Sequence, residues 1–75
     1  MYPDNQLILV FKTNIRTCAD RLSVKAALDN EEGISNWNVD MHDVDCVLRI
    51  ETPGITTHEV IAIINRQGYQ CSVLE

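Results

Sequence analysis

The sequence predicts an α+β domain in which four strands and two helices follow one another as β-α-β-β-α-β. Three observations carry that reading. Short apolar or alternating runs occur at residues 6–12, 34–41, 44–51 and 69–74, the mark of strands with one face in a core. Two segments between them switch to helical spacing, each opened by a threonine with an acidic residue three positions on. Gly33, Pro53-Gly54 and Gly68 stand at the joints, where turns and helix ends place such residues.

Gln6 to Lys12 reads QLILVFK and is rich in strand formers. Thr13 to Thr17 is a polar loop with one apolar residue, Ile15. A helix over 18–31 comes next, capped by Thr17 with Asp20 at its N-terminus and ended by Gly33; Val24, Ala27 and Leu28 form its inner face. Ile34 to Met41 alternates, with Trp37, Val39 and Met41 on one side. His42-Asp43 reads as a tight turn, and Val44 to Glu51 alternates again with Cys46, Leu48 and Ile50 inward. Thr56 and Glu59 have capping-box spacing and open a helix whose apolar face is Val60, Ile61, Ile63 and Ile64. Tyr69 to Leu74 is the last strand. Two helices on one face of a four-stranded antiparallel sheet make the ferredoxin-like, split βαβ arrangement, with strand one between strands three and four. The alternation suits it, because one sheet face meets the helices and the other meets water.

Composition narrows the function. The 75 residues are one domain, 1–75, too short for a large enzyme scaffold. Six Lys+Arg against eleven Asp+Glu give a net charge of -5, which argues against nucleic acid as a partner. RNA-recognition domains of this fold stack bases on strand aromatics, and residues 46–51 contain none. No apolar run nears the roughly 18 residues of a membrane span, and Met1–Asn5 lacks the basic start of a signal peptide. Three cysteines do not make a disulfide framework. These features point to a reducing, cytoplasmic setting. There is no Ser-His-Asp set, P-loop or carboxylate pair in a credible cleft, so no enzyme is expected.

Phe11-Lys12-Thr13-Asn14-Ile15, the strand from Gly33-Ile34 through Trp37-Asn38-Val39-Asp40, Val47-Leu48-Arg49-Ile50-Glu51, and Val60-Ile61 with Gly68-Tyr69 together resemble the heavy-metal-associated domain family over residues 6–74. The resemblance implies kinship with copper chaperones and the N-terminal modules of metal-transporting ATPases. That family grips Cu(I), or Zn(II), with Met-x-Cys-x-x-Cys after strand one; here the motif is degenerate. In one alignment Cys18 is the second cysteine, Ile15 stands at the first and Thr13 at the methionine, but Gly33 then falls too late. In the other, Ile15 replaces the methionine, Thr17 the first cysteine and Asp20 the second. The second alignment needs no insertion and is the favoured one. Both metal cysteines are then lost, and Thr17 and Asp20 are oxygen donors that do not hold Cu(I). They suit a helix cap instead.

Other candidates are few. Cys18, Cys46 and Cys71 are expected toward the same end of the sheet as His42, with Cys46 and Cys71 facing the helices as small hydrophobes. Strand one keeps those two thiols apart. Cys18, between Arg16 and Arg21 at a helix start, is the plausible reactive thiol. His42 with Asp40, Asp43 and Asp45 makes an acidic hairpin, a weak divalent-ion site or a solvated turn. His58 is expected to be exposed. The resemblance puts Tyr69 beside the metal loop, and Arg16, Arg21 and Lys25 on the face that docks protein partners in the chaperones. The leading expectation is an interaction or regulatory module, monomeric or weakly dimeric, with no resident cofactor. The alternatives are a Cu(I) or Zn(II) carrier using Cys18, alone or across a dimer, and a small-ligand sensor.

Overall fold

The computed structural model describes residues 6–75, so the polar Met1–Asn5 segment lies outside the described residues. Six elements occur in order: β1 (Leu7–Thr13), α1 (Cys18–Asp29), β2 (Asn36–Asp40), β3 (Val47–Thr52), α2 (Thr57–Arg66) and β4 (Cys71–Val73). The strands form one sheet ordered β2-β3-β1-β4, and every neighbouring pair is antiparallel. This is the expected ferredoxin-like βαββαβ arrangement, with β1 central.

Alternation along the strands decides what the sheet buries. Phe11 and Thr13 on β1, Val39 on β2, and Leu48, Ile50 and Thr52 on β3 are buried against the helical layer. The helices contribute Val24 and Leu28 from α1 and Val60, Ile63 and Ile64 from α2. Ile15 and Ile55, both in connecting segments, complete the core, while Ala27, Trp37, Met41, Ile61 and Tyr69 pack at its margin. Each fully buried aliphatic or aromatic side chain contributes about 1.5–3 kcal/mol.

Several element ends differ from expectation, some for a local reason and some through a distant partner. Helix α1 stops at Asp29 rather than residue 31, because the Glu31 N–H bonds to the Leu28 carbonyl three residues back instead of continuing the i→i−4 ladder. Gly33 therefore does not end the helix. A Cβ there would meet Ile55 Cβ at 3.3 Å, and the Gly33 carbonyl accepts the Thr52 hydroxyl. Its role is close approach. Strand β2 is shorter than 34–41, since Ser35 N–H turns to the Glu51 carbonyl and Asp40 Oδ1 accepts the His42 N–H at 3.0 Å.

The hairpin turn is longer than His42-Asp43. Asp43 Oδ1 accepts the Asp45 N–H at 2.8 Å, Cys46 N–H reaches the Asp43 carbonyl, and Cys46 has φ 45°. A left-handed residue cannot continue a ladder, so β3 begins at Val47 and Val44, expected in the strand, is 94% exposed. Cys46 is still buried, in the turn rather than on the strand. Strand β4 begins at Cys71, not Tyr69, because Tyr69 N–H bonds back to Ile64 and Gln70 N–H is held by Asn14 Oδ1 at 2.8 Å. Gly68, at φ 91°, does turn the chain after α2.

Candidate functional site

The β1–α1 loop is the natural place for chemistry, because it joins a central strand to a helix N-terminus. Thr17 is the N-cap of α1: its hydroxyl accepts the Asp20 N–H at 3.0 Å. Asp20 reciprocates. Its Oδ2 accepts the N–H groups of Arg16 and Thr17, both at 3.1 Å, which completes the capping box the sequence predicts. Its other oxygen accepts the Tyr69 hydroxyl at 2.9 Å. Together these bonds hold the Asp20 carboxyl below its ordinary range, the Arg16 N–H contributing most and the Tyr69 hydroxyl next. Beneath the cap, Ile15 is fully buried and anchors the loop. The loop is thus closed on itself and pinned from across the molecule.

Its donor set does not fit a soft metal ion. Thr17 and Asp20 offer hard oxygens, and both side chains are already committed to backbone and tyrosine donors. Cys18 is exposed at the first position of the helix and is a free thiol. Among the described residues, no group of three or more His, Cys, Asp or Glu is placed to hold a metal. The acidic hairpin is occupied locally: Asp40 and Asp43 cap backbone N–H groups, and Asp45 lies 3.8 Å from Lys12 Nζ. His42 and His58 are exposed.

The other two cysteines flank β1. Cys71 pairs with Thr13 in the β1–β4 ladder, while the Thr13 hydroxyl donates to the Cys46 carbonyl at 2.7 Å from the other side. Both are free. Cys46 is 4% exposed; Cys71 is half-buried at the margin of the core, and burial pushes its thiol up to about 11.

The basic face is smaller than Arg16, Arg21 and Lys25 suggest. Arg21 lies over the Trp37 ring at 4.9 Å. Lys25 Nζ sits 2.6 Å from Asp29 Oδ2, and the other Asp29 oxygen accepts the Trp37 indole N–H at 2.8 Å. Those contacts lower the Asp29 carboxyl, Lys25 first and Trp37 second. This network is not legible in the sequence; its one signal there is Lys25 and Asp29 at helical i,i+4 spacing. Arg16 is left exposed, near the apolar tip Val44, with which it lines a small cleft. Leu22 on α1 is 63% exposed.

No protein-family model and no curated protein matches the chain. Solved structures do. The copper(I)-loaded first domain of the human copper chaperone for SOD1 superposes with a TM-score of 0.78 at 19% identity, covering 91% of this chain and 92% of that one. Oxidised MerP from Ralstonia metallidurans CH34 gives 0.78 at 16% identity, covering 93% and 99%. A structure of the Atx1–Cu(I)–Ccc2a complex gives 0.75 at 17% identity, covering 91% and 94%. At these identities the likeness is one of fold.

Proposed function

Because the fold is that of heavy-metal-associated domains, we propose that the chain is a protein-interaction or regulatory module on that scaffold, in which the metal-gripping loop has become a sealed helix start. One observation carries the reading: Thr17 and Asp20, the positions aligned with the two metal cysteines, are joined in a reciprocal cap that Tyr69 closes. A loop organised in this way is spent on holding α1, and the one free soft donor beside it is the single thiol of Cys18. The module does no catalysis and needs no resident cofactor. Among the described residues no helix is long and apolar enough to cross a membrane, and the three free thiols suit a reducing, cytoplasmic compartment.

A protein partner fits the loop end of the molecule. Atx1 and Ccc2a form a complex with Cu(I), and this scaffold has exposed Arg16, Leu22 and Val44 around its own β1–α1 loop. Arg21 and Lys25 contribute less than their charge implies, since each is already engaged by Trp37 or Asp29. The test is Cu(I) competition: the protein, reduced and metal-free, is titrated with Cu(I) beside a tight chelator. The chelator should take the metal and the amide spectrum should not move. Retention of one copper per chain would overturn the reading and establish a carrier that uses Cys18.

A further inference from the structure

The sheet face turned away from the helices should be polar, because among the described residues no helix covers it. It is not uniformly so. The registers arrange its outward residues in rows: Asn38, Arg49 and Val10 lie side by side across β2, β3 and β1, with Asp40 beside Val47 in the next row. Leu74 joins Val10 through its N–H to the Val10 carbonyl. Val10, Val47 and Leu74 are all partly buried, although no helix packs on this side. Met41, His42 and Asp43 line with them an open cleft of ≈ 560 Å³ on this face, a volume in the range of small-molecule sites.

Its polar groups have a definite arrangement. Among the described residues Arg49 makes no ion pair, so its guanidinium is available. Asp40 is held in place by the His42 N–H, and Asp43 also lines the cleft. Arg49 faces Asn38 and Asp40 faces Val47, so Arg49 and Asp40 are diagonal neighbours, whose Cα atoms lie about 7–8 Å apart. Long side chains can reach one another at that spacing, but the two make no ion pair here, and the spacing lets one small molecule touch both. A lone carboxylate would meet Asp40 and Asp43; a lone amine would meet Arg49. A molecule bearing both charges avoids each conflict.

We propose that this cleft binds a small zwitterion with an apolar body, of the class an aliphatic or aromatic α-amino acid represents. Its carboxylate pairs with Arg49, its ammonium faces Asp40, and its body lies on Val10, Val47 and Leu74. The site shares no residue with the β1–α1 loop cap and stands whether or not that loop docks a partner. The period-two pattern holds a partial signal for it: Val47 and Leu74 are apolar at positions that alternation assigns to water.

The test is a titration of the 15N-labelled protein with L-leucine, with isocaproate and isoamylamine as analogues that keep the body and one charge each. L-leucine should give saturable amide shifts confined to Val10, Asp40, Val47, Arg49 and Leu74, with a millimolar Kd. Each analogue should bind at least about tenfold more weakly. Arg49→Gln and Asp40→Asn should each weaken leucine binding by the same order. Both residues are exposed, and asparagine retains the acceptor for His42 N–H, so the remaining amide spectrum should be unchanged. No saturable shift with leucine or phenylalanine, an analogue binding as well as leucine, or binding that survives both substitutions would overturn the proposal. A face that responds only to an added protein would overturn it too.

Discussion

Replacing Thr17 and Asp20 together by cysteine should turn the sealed cap into a two-thiolate site and separate the two alignments of the loop. Thr17 is the N-cap of α1, with its hydroxyl 3.0 Å from the Asp20 nitrogen. Loss of an N-cap costs about 1 kcal/mol, which for a domain of 60–100 residues lowers Tm by about 4–8 °C. The metal-free Thr17→Cys, Asp20→Cys protein should therefore melt lower by at least that amount, because the Asp20 acceptor for the Arg16 and Thr17 N–H groups and the Tyr69 hydroxyl goes too, and still fold, since Ile15 continues to anchor the loop from the core. It should retain one Cu(I) per chain beside a tight chelator and regain stability on loading. The competing alignment calls for Ile15→Cys paired with native Cys18. Ile15 is 0% exposed, so shrinking it opens a cavity and costs about 2 kcal/mol, between the usual Ile→Val and Ile→Ala losses. The new thiol would lie inside the core while Cys18 lies outside it, and copper should not be retained. Copper stoichiometry under competition and melts of the metal-free proteins decide the matter. If Ile15→Cys holds copper and the double substitution does not, the alignment is wrong and Cys18 is a surviving ligand.

The Asp20 carboxyl is lowered in the fold from 3.8, chiefly by the Arg16 N–H. Its contribution is therefore fully present above the unfolded value and lost as pH falls through the lower folded one. The gap in urea midpoint between wild type and Asp20→Asn should be full at pH 7 and shrink as pH falls below the unfolded value of 3.8; a gap that does not shrink on acidification would contradict the bonding described. Alkylation followed by mass spectrometry should modify exposed Cys18 first at pH 8. Cys71, with its thiol raised to about 11, is only about one part in a thousand ionised there; equal rates would show its burial to be wrong. Gly68→Ala should cost about 1–2 kcal/mol from the φ of 91° alone, as nothing lies within 4 Å of its added Cβ. Gly54→Ala, equally uncrowded and without a positive φ, should be close to neutral, so similar losses in the two melts would refute the strain argument.

What the sequence discloses is what short-range rules govern. The Thr17–Asp20 box, the Thr56 cap and the turn at Gly68 are written within four residues and appear as read. Alternation identifies Val39, Leu48 and Ile50 as inward residues, and all three are buried. The differences lie where a distant partner decides. Gly33 has the look of a helix stop, but Ile55 and Thr52 determine why it is glycine. Val44 and Asp45 alternate as a strand would, yet the Asp45 carbonyl accepts the Thr13 N–H at 3.0 Å and the segment leaves the ladder. The resemblance places Tyr69 beside the loop, but its hydroxyl bond to Asp20 spans 49 positions and has no local signature. The charges on α1 read as a docking face for the same reason: Trp37, which engages Arg21 and Asp29, belongs to another element.

Thr13 ties together two loops that are far apart along the chain. Its hydroxyl donates to the Cys46 carbonyl at 2.7 Å and accepts the Ile15 N–H at 3.1 Å, while its backbone N–H holds Asp45. One buried side chain is thus a rivet through both. Both bonds meet at one buried oxygen, so the hairpin tip and the segment entering α1 share a single anchor in the core rather than being fastened independently.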